Sequence, residues 1–158
     1  MNEKHDEQKQ IIFKSLREAL LILLKQKQFD DISISELTKK AGIARSTYYR
    51  YFTGKIELIR FLIQSEMKQF DEKYQPQTIK ERFQKKYIHE VWQFLLQDKE
   101  AIQAISNVGL SHIYLEEFNK HLRELFPYRM TAQEEIDLYG LAGAQYNIIF
   151  NLFLPKTK

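Results

Sequence analysis

Cysteine is absent from this chain of 158 residues, and its absence excludes several kinds of site. There can be no disulfide framework, no thiol nucleophile and no thiolate metal site. Long apolar runs are also missing, since no segment approaches the ~20 residues that a membrane span needs. The first ten residues are charged and precede no apolar run with a clean cleavage site, so no secretory leader is expected. These absences predict a cytoplasmic protein.

Catalytic signatures are missing as well. The sequence contains no glycine-rich phosphate loop, no serine elbow and no nucleophile with an evident base. Its histidines lack the spacing of a metal site, although two groups could meet in space: His89 with Glu90, and Glu116 and Glu117 with His112 and His121. We predict no enzymatic activity, no cofactor and no metal site.

The segment from Ile32 to Lys55 has the pattern of two short helices around a glycine turn. Ser33 can cap the first helix at about Ile34, and Glu36 has the spacing that completes a capping box. Gly42 follows the last apolar position and suits a turn that requires a positive φ. The second helix is expected from about Ala44 to Tyr51, with cationic, hydroxyl and aromatic side chains that cannot all be buried.

Basic residues are concentrated in the same segment. Between Leu37 and Ile56 there are five of them and no acid: Lys39, Lys40, Arg45, Arg50 and Lys55. Residues 1–55 hold 11 Lys and Arg against 7 Asp and Glu, a net +4, whereas residues 56–158 hold 13 against 14, a net −1. A local positive field suits a phosphate backbone. A basic surface that only contacts solvent is the alternative for the charges taken alone.

These features together resemble the TetR family of bacterial transcriptional regulators. The matching residues lie in roughly the first third of the chain: Ala41-Gly42-Ile43, Ser46-Thr47-Tyr48-Tyr49-Arg50-Tyr51-Phe52, and Lys55 with Leu58. Two residues depart from the family pattern. Ala44 stands where a capping serine is usual, which weakens the N-cap by ~1 kcal/mol, and Thr38 stands where a small alanine is common.

The resemblance implies a set of DNA contacts. Arg45 would read guanine with its fork, and Thr47 would place its methyl group against thymine. Tyr48 would reach a base edge or the backbone. The residues that would hold phosphates are Ser33, Ser46, Tyr49, Tyr51 and Lys55. Phe52 is expected to pack in the core.

Helical periodicity continues along the chain without the strict alternation of a strand. Expected helices span Asp6 to Gln28, Gly54 to Lys73, Thr78 to Gln97, Asp98 to Val108, Ser111 to Phe126 and Thr131 to Leu154, with a break at Tyr74 to Gln77 around Pro76. With 44% hydrophobic residues the chain can build a core. We predict an all-α fold, with a three-helix helix-turn-helix DNA-binding domain at residues 1–54 and a helical dimerisation and effector-binding bundle at residues 55–158.

The last helix is rich in apolar and small residues, and a small run extends from Gly140 to Ala144. Only part of that surface can face its own domain. We expect the helices at residues 111–126 and 131–154 to form a four-helix interface with a second copy. A central helix of a monomeric bundle is the alternative.

The resulting functional prediction is a homodimeric repressor that binds a palindromic operator of double-stranded DNA, with half-sites ~34 Å apart, or offset if two dimers share one operator. The family resemblance implies release by a small apolar effector in the C-terminal domain. Candidate pocket walls are Phe61, Ile63, Phe83, Tyr87, Trp92, Ile105, Tyr114 and Phe118, with His89, Gln103, Asn107 and His112 as polar anchors. The alternative is a helical adaptor or co-activator that acts through protein partners and has no small-molecule ligand.

Overall fold

Helices form the regular structure of residues 3–74 and 78–154, the residues that the computed structural model of this chain describes. Within these ranges there are nine α-helices and a closing π-helix, and no strand. The prediction of an all-α fold is confirmed. The chain divides into two compact units between Ile59 and Arg60. That division falls inside the fourth helix, whereas the predicted boundary at residues 54 and 55 lies at its start.

The first unit contains three helices and the beginning of a fourth: α1 (Glu3–Leu24), α2 (Ile34–Ala41), α3 (Arg45–Tyr51) and α4 (Lys55–Lys73). α1 packs against α2, and α2 packs against α3. α1 ends before the predicted Gln28, because the N–H groups of Gln26 and Lys27 both bond to the carbonyl of Leu23 at 2.9 and 3.1 Å. The three-helix arrangement predicted for this region is present.

The turn between α2 and α3 depends on Gly42. Its φ of 68° is left-handed, and the N–H of Ile43 bonds back to the Thr38 carbonyl at 3.0 Å, as in a Schellman helix end. At the other end of α2, Ser33 Oγ accepts from the N–H of Glu36 at 3.1 Å. The Glu36 carboxylate, predicted to complete the capping box, accepts from Lys27 Nζ at 2.8 Å.

The second unit holds the rest of α4 and six further elements: α5 (Ile79–Arg82), α6 (Lys85–Gln97), α7 (Lys99–Asn107), α8 (Ser111–Leu125), α9 (Ala132–Asn147) and a π-helix (Ile148–Phe153). The prediction of one helix from Thr78 to Gln97 is wrong. Phe83 and Gln84 donate to carbonyls three residues back, which closes α5, and Gln84 is then extended with ψ 140°. Residues 75–77, where the break around Pro76 is predicted, lie outside the described residues.

The last helix begins where the sequence predicts. Thr131 and Glu134 form a capping box, with Thr131 Oγ1 accepting from the Glu134 N–H at 3.2 Å and the Glu134 carboxylate accepting from the Thr131 N–H at 2.8 Å. The α-helical hydrogen bonding ends at Asn147, and the wider π-helix continues to Phe153. The prediction of one α-helix to Leu154 is therefore correct only for its first part.

A buried apolar cluster organises the second unit around α8 and α9. Its members are less than a tenth exposed: Ile79, Leu122, Phe126, Met130, Leu138, Leu141 and Ala142. Leu115 and Phe118 pack against it from α8 and are partly buried. This cluster uses one face of α9, so the opposite face of that helix is left to solvent or to another chain.

The conformation of Gly42 gives a test of the helix-turn-helix geometry. A side chain at a left-handed position costs ~1–2 kcal/mol, and a Cβ there would meet nothing within 4 Å. Gly42→Ala should therefore lower the free energy of unfolding by that amount through backbone strain alone. Gly54→Ala is the matched control, since Gly54 is equally unobstructed and has no positive φ. An equal decrease in the free energy of unfolding in the two variants, measured by urea denaturation, would contradict this account.

Candidate nucleic-acid interface

The short helix α3 has a buried side and an exposed side. Tyr48 is 0% exposed, and Phe52, which ends the helix, is 3% exposed. Four polar or charged residues of α3 are exposed: Arg45, Ser46, Tyr49 and Arg50. The exposed side therefore carries two guanidinium groups and two hydroxyl groups, all of which can donate hydrogen bonds.

An aromatic cluster anchors α3 to α1. The Phe13 ring of α1 lies 5.1 Å from the Tyr51 ring, edge to face, and 5.6 Å from the Phe52 ring, while Tyr48 and Phe52 are 5.5 Å apart. Such pairs each contribute ~0.5–1.5 kcal/mol beyond the area they bury. A helix of seven residues is not stable alone. Its orientation therefore comes from these contacts.

Two of the predicted contact residues touch each other on the exposed side. The Arg45 guanidinium lies 5.8 Å from the centre of the Tyr49 ring, and its Nη2 donates to the Tyr49 hydroxyl at 3.5 Å. The residues are one helical turn apart, where side chains meet. Ala44, at the N-cap, provides no side-chain hydrogen bond, as expected from the departure at that position. The Arg45 guanidinium is therefore positioned by the Tyr49 side chain.

Tyr48 does not belong to this surface. Its side chain is fully buried, and its hydroxyl has no hydrogen-bond partner among the described residues. Burial raises the pKa of this hydroxyl to about 12, with smaller contributions from Tyr49 and Glu57. A side chain without exposed area cannot touch a base or a phosphate in this conformation, so the predicted DNA contact by Tyr48 is corrected to a core position.

The remaining predicted phosphate contacts occupy different environments. Ser33 and Ser46 are exposed, whereas Thr47 and Tyr51 are half-buried. Lys55 is already engaged: its Nζ donates to the carbonyls of Phe29 and Asp30 at 2.6 and 3.3 Å and lies 4.5 Å from the centre of the Phe29 ring. An ammonium group has three donors. One N–H of Lys55 therefore remains for a phosphate.

Arg50 was counted in the charge pattern but missing from the predicted contacts. It is exposed and lies four residues after Ser46, one turn further along α3. Lys39 and Lys40 are also exposed, in the last turn of α2. The helical position of Arg50 is the signal that could have identified it, because residues 46 and 50 share a face.

The second unit contains a crevice that only partly agrees with the predicted pocket. Of the predicted walls, Ile63, Tyr87, Tyr114 and Phe118 line it, whereas Phe83 is 45% exposed elsewhere. None of the predicted polar anchors lines it. The sequence analysis missed its actual polar lining, which consists of Glu66, Asp71, Arg82, His121 and Gln145.

Neither a metal cluster nor a membrane helix is found in the part of the chain that the structure describes. No group of three His, Asp or Glu side chains there is placed to hold a metal ion. No helix there has both the length and the apolar content to cross a membrane.

Comparison with known proteins agrees with the geometry of α2 and α3. Residues 16–61 match the family model "Bacterial regulatory proteins, tetR family". The Bacillus subtilis (strain 168) protein "Uncharacterized HTH-type transcriptional regulator YxbF" is 25% identical over 145 residues, which cover 87% of this chain but only 38% of that protein. A solved structure, "Dihydroxyacetone kinase operon activator DhaS", is similar in fold, with a TM-score of 0.53, 18% identity, and coverage of 89% of this chain and 85% of that one. The resemblance predicted from the sequence is confirmed.

The buried hydroxyl of Tyr48 gives a second test. Removing a buried polar group that lacks a partner is neutral or stabilising, by up to ~1 kcal/mol, so Tyr48→Phe should not lower the melting temperature. Tyr146→Phe is the matched control, since the Tyr146 hydroxyl lies 2.9 Å from Ser111 Oγ and losing that bond should cost ~1 kcal/mol. A clear loss of stability in Tyr48→Phe, seen in thermal unfolding, would show that its hydroxyl has a partner.

Proposed function

We propose that this chain, whose residues 16–61 match the family model of bacterial regulatory proteins of the tetR family, is a sequence-specific transcriptional regulator that binds double-stranded DNA as a homodimer. The observation that carries the proposal is the exposed side of α3, which presents Arg45, Ser46, Tyr49 and Arg50 in a segment without acidic residues. A helix of this kind fits the major groove of DNA. This role would place the protein in the cytoplasm with the chromosome.

The contacts divide into base readers and phosphate holders. Arg45 can make a forked contact to guanine, and Thr47 can place its methyl group against thymine. Ser33, Ser46, Tyr49, Tyr51, Lys55 and, newly, Arg50 would hold phosphates and fix the register of the helix. The basic residues at positions 39 and 40 add to the electrostatic attraction.

A homodimer is supported by the outer face of α9. Ile136, Tyr139 and Gly140 are exposed, Ile136 and Tyr139 by 64% and 50%. They share one face with Gly143, opposite the buried residues of the same helix. Added Cβ atoms on Gly140 and Gly143 would meet nothing within 4 Å in the single chain. We propose that this face, with α8, packs against its symmetry mate, so that two copies of α3 read a palindrome.

DNA binding by this chain can either repress or activate transcription. We favour repression with release by an effector, the mechanism that the family resemblance implies. DhaS is named as an operon activator, so activation is the second candidate. The adaptor alternative requires no exposed DNA-reading surface, and the charged outer side of α3 favours DNA binding over it. A gel shift whose affinity falls steeply with salt would separate the two, because phosphate contacts release counterions.

Replacing Arg45 should change sequence preference. We expect Arg45→Ala to weaken operator binding by ~1–3 kcal/mol and to relax the requirement at one base pair. Arg45→Lys keeps the charge but loses the fork, so it should retain more affinity while losing the same preference. Tyr49→Phe should weaken binding to all duplexes by the same factor, because Tyr49 is assigned a phosphate contact. Selection of bound DNA from a random pool, with titration of selected and scrambled duplexes, measures all three; unchanged preference in Arg45→Ala would refute its role as a base reader.

The dimer face can be tested at Gly140. Gly140→Glu introduces a charge at an exposed position, so the single chain should still fold, but the proposed interface would have to bury that charge. We expect sedimentation velocity to show a dimer for the unmodified protein and a monomer for the variant, with weaker binding to a palindrome. Lys86→Glu, exposed on α6, is the control for added negative charge and should remain dimeric. A monomeric unmodified protein at micromolar concentration would refute the dimer.

A further inference from the structure

A charged cluster lies in the second unit, formed by the buried Arg82 and the half-buried Asp71, Tyr87 and His121; it is here called the Arg82 cluster. Arg82 is only 3% exposed. Its Nη1 donates to the Tyr87 hydroxyl at 2.6 Å, and its Nη2 lies 3.6 Å from Asp71 Oδ1. Asp71 Oδ2 lies 2.6 Å from His121 Nε2. The cluster therefore joins residues of α4, α5, α6 and α8.

Two atoms of the Arg82 cluster lack hydrogen bonds. Arg82 Nε, a donor, and Asp71 Oδ1, an acceptor, are buried and have no hydrogen-bond partner within the described residues. Leaving such groups unpaired costs ~1–3 kcal/mol each, and more when they are charged. Folded proteins satisfy nearly all buried polar groups with protein atoms, water or a bound molecule. These two atoms call for a partner that accepts one hydrogen bond and donates another.

The Arg82 cluster lines the crevice of the second unit. The other walls of that crevice are mainly apolar and include Ile63, Met67, Phe70, Phe94, Phe118 and Leu122. Water can satisfy the polar end, but the apolar walls would gain more from contact with a hydrocarbon.

We propose that the crevice binds a small neutral molecule with a hydroxyl group at one end and an apolar body. The hydroxyl would donate to Asp71 Oδ1 and accept from Arg82 Nε–H, while the apolar body would lie against the aromatic and aliphatic walls. Asp71 Oδ1 lies 3.6 Å from Arg82 Nη2, and Nε belongs to the same guanidinium group, so a hydroxyl bound beside Asp71 Oδ1 is also close to Nε. This inference rests on the proposed function, in which the molecule is the effector.

The charges around the crevice disfavour ionic ligands. A carboxylate that approached Arg82 would also face Asp71 and Glu66, and an ammonium group that approached Asp71 would face Arg82. Removing either ion from water costs free energy, and its attraction to one charged side chain is offset by repulsion from the other, so the cost is not compensated. A neutral hydroxyl avoids this cost and fits both unpaired atoms. The purely apolar effector predicted from the sequence would leave both atoms unpaired.

Ligand entry requires a small expansion. In this conformation the crevice has about 40 Å³ of room for solvent, and about 10–15 Å³ holds one water molecule. Met67 is an unbranched and adaptable side chain that can move. A molecule that binds the expanded state more tightly than the closed one shifts the population toward it, which is the physical requirement for an effector.

The test compares three probes that share a six-carbon chain: hexanol, hexanoate and hexylammonium. Isothermal titration of the full chain without DNA should show that hexanol binds about tenfold or more tightly than either ion. Asp71→Asn keeps the shape but leaves Arg82 without its counter-charge, so it should shift the preference toward hexanoate. Asp137→Asn, at an exposed position on α9, is the control and should leave the preference unchanged.

The outcomes separate this inference from the proposed function. Equal binding of the three probes, tighter binding of an ion by the unmodified protein, or an Asp71→Asn variant with unchanged preference would overturn the hydroxyl assignment. These titrations contain no DNA, so they do not depend on the gel shift. Selective hexanol binding by a protein that fails to bind any duplex would retain the site and refute the regulatory role.

Discussion

The burial of Tyr48 and Phe52 is the constraint on which the candidate DNA-binding surface depends. α3 has only seven residues and no side-chain cap, so it cannot hold its own conformation. The rings of Phe13, Tyr51 and Phe52 fix it against α1. Because side chains on a helix repeat about every 3.6 residues, burying Tyr48 turns Ser46 and Arg50, on the opposite side of the helix, outward. The polar surface is thus a consequence of core packing.

Local signals made several helix ends predictable in both units. Ser33, Gly42 and Thr131 each act through backbone groups only a few residues away, so the starts of α2 and α9 and the turn after α2 could be predicted from the sequence. The side of α3 that faces inward could not. Tyr48 and Tyr49 are the same residue type, and tyrosine is found both in cores and on solvent-exposed surfaces. Only the contact with α1 distinguishes them, and that contact is not encoded locally.

The Arg82 cluster was missed for a related reason. The break between α5 and α6 contains neither proline nor glycine, so the periodicity of residues 78–97 predicted one continuous helix. Arg82 would then appear to be an ordinary surface cation. Its burial depends on Asp71, Tyr87 and Phe126, whose ring centre lies 5.6 Å from the guanidinium. Asp71 lies on another helix, α4, and Phe126 is far away in the sequence, so the cluster is a property of tertiary structure.

α4 carries two polar networks of different completeness. Near its start in the second unit, Arg60 binds Glu116 and Glu117 at 2.5 and 2.6 Å, and Gln64 donates to the other oxygen of the buried Glu117 at 2.7 Å. Both oxygens of Glu117 are therefore satisfied, which favours a single arrangement of α4 against α8. At the other end of α4, Asp71 Oδ1 lies 3.6 Å from Arg82 Nη2 but accepts no hydrogen bond from the described residues. An element that responds to a ligand needs two arrangements of similar free energy. The Arg82 cluster has the smaller cost of rearrangement, because two of its buried polar atoms have no hydrogen bond to lose, so a ligand would act there and leave the Arg60 contacts intact.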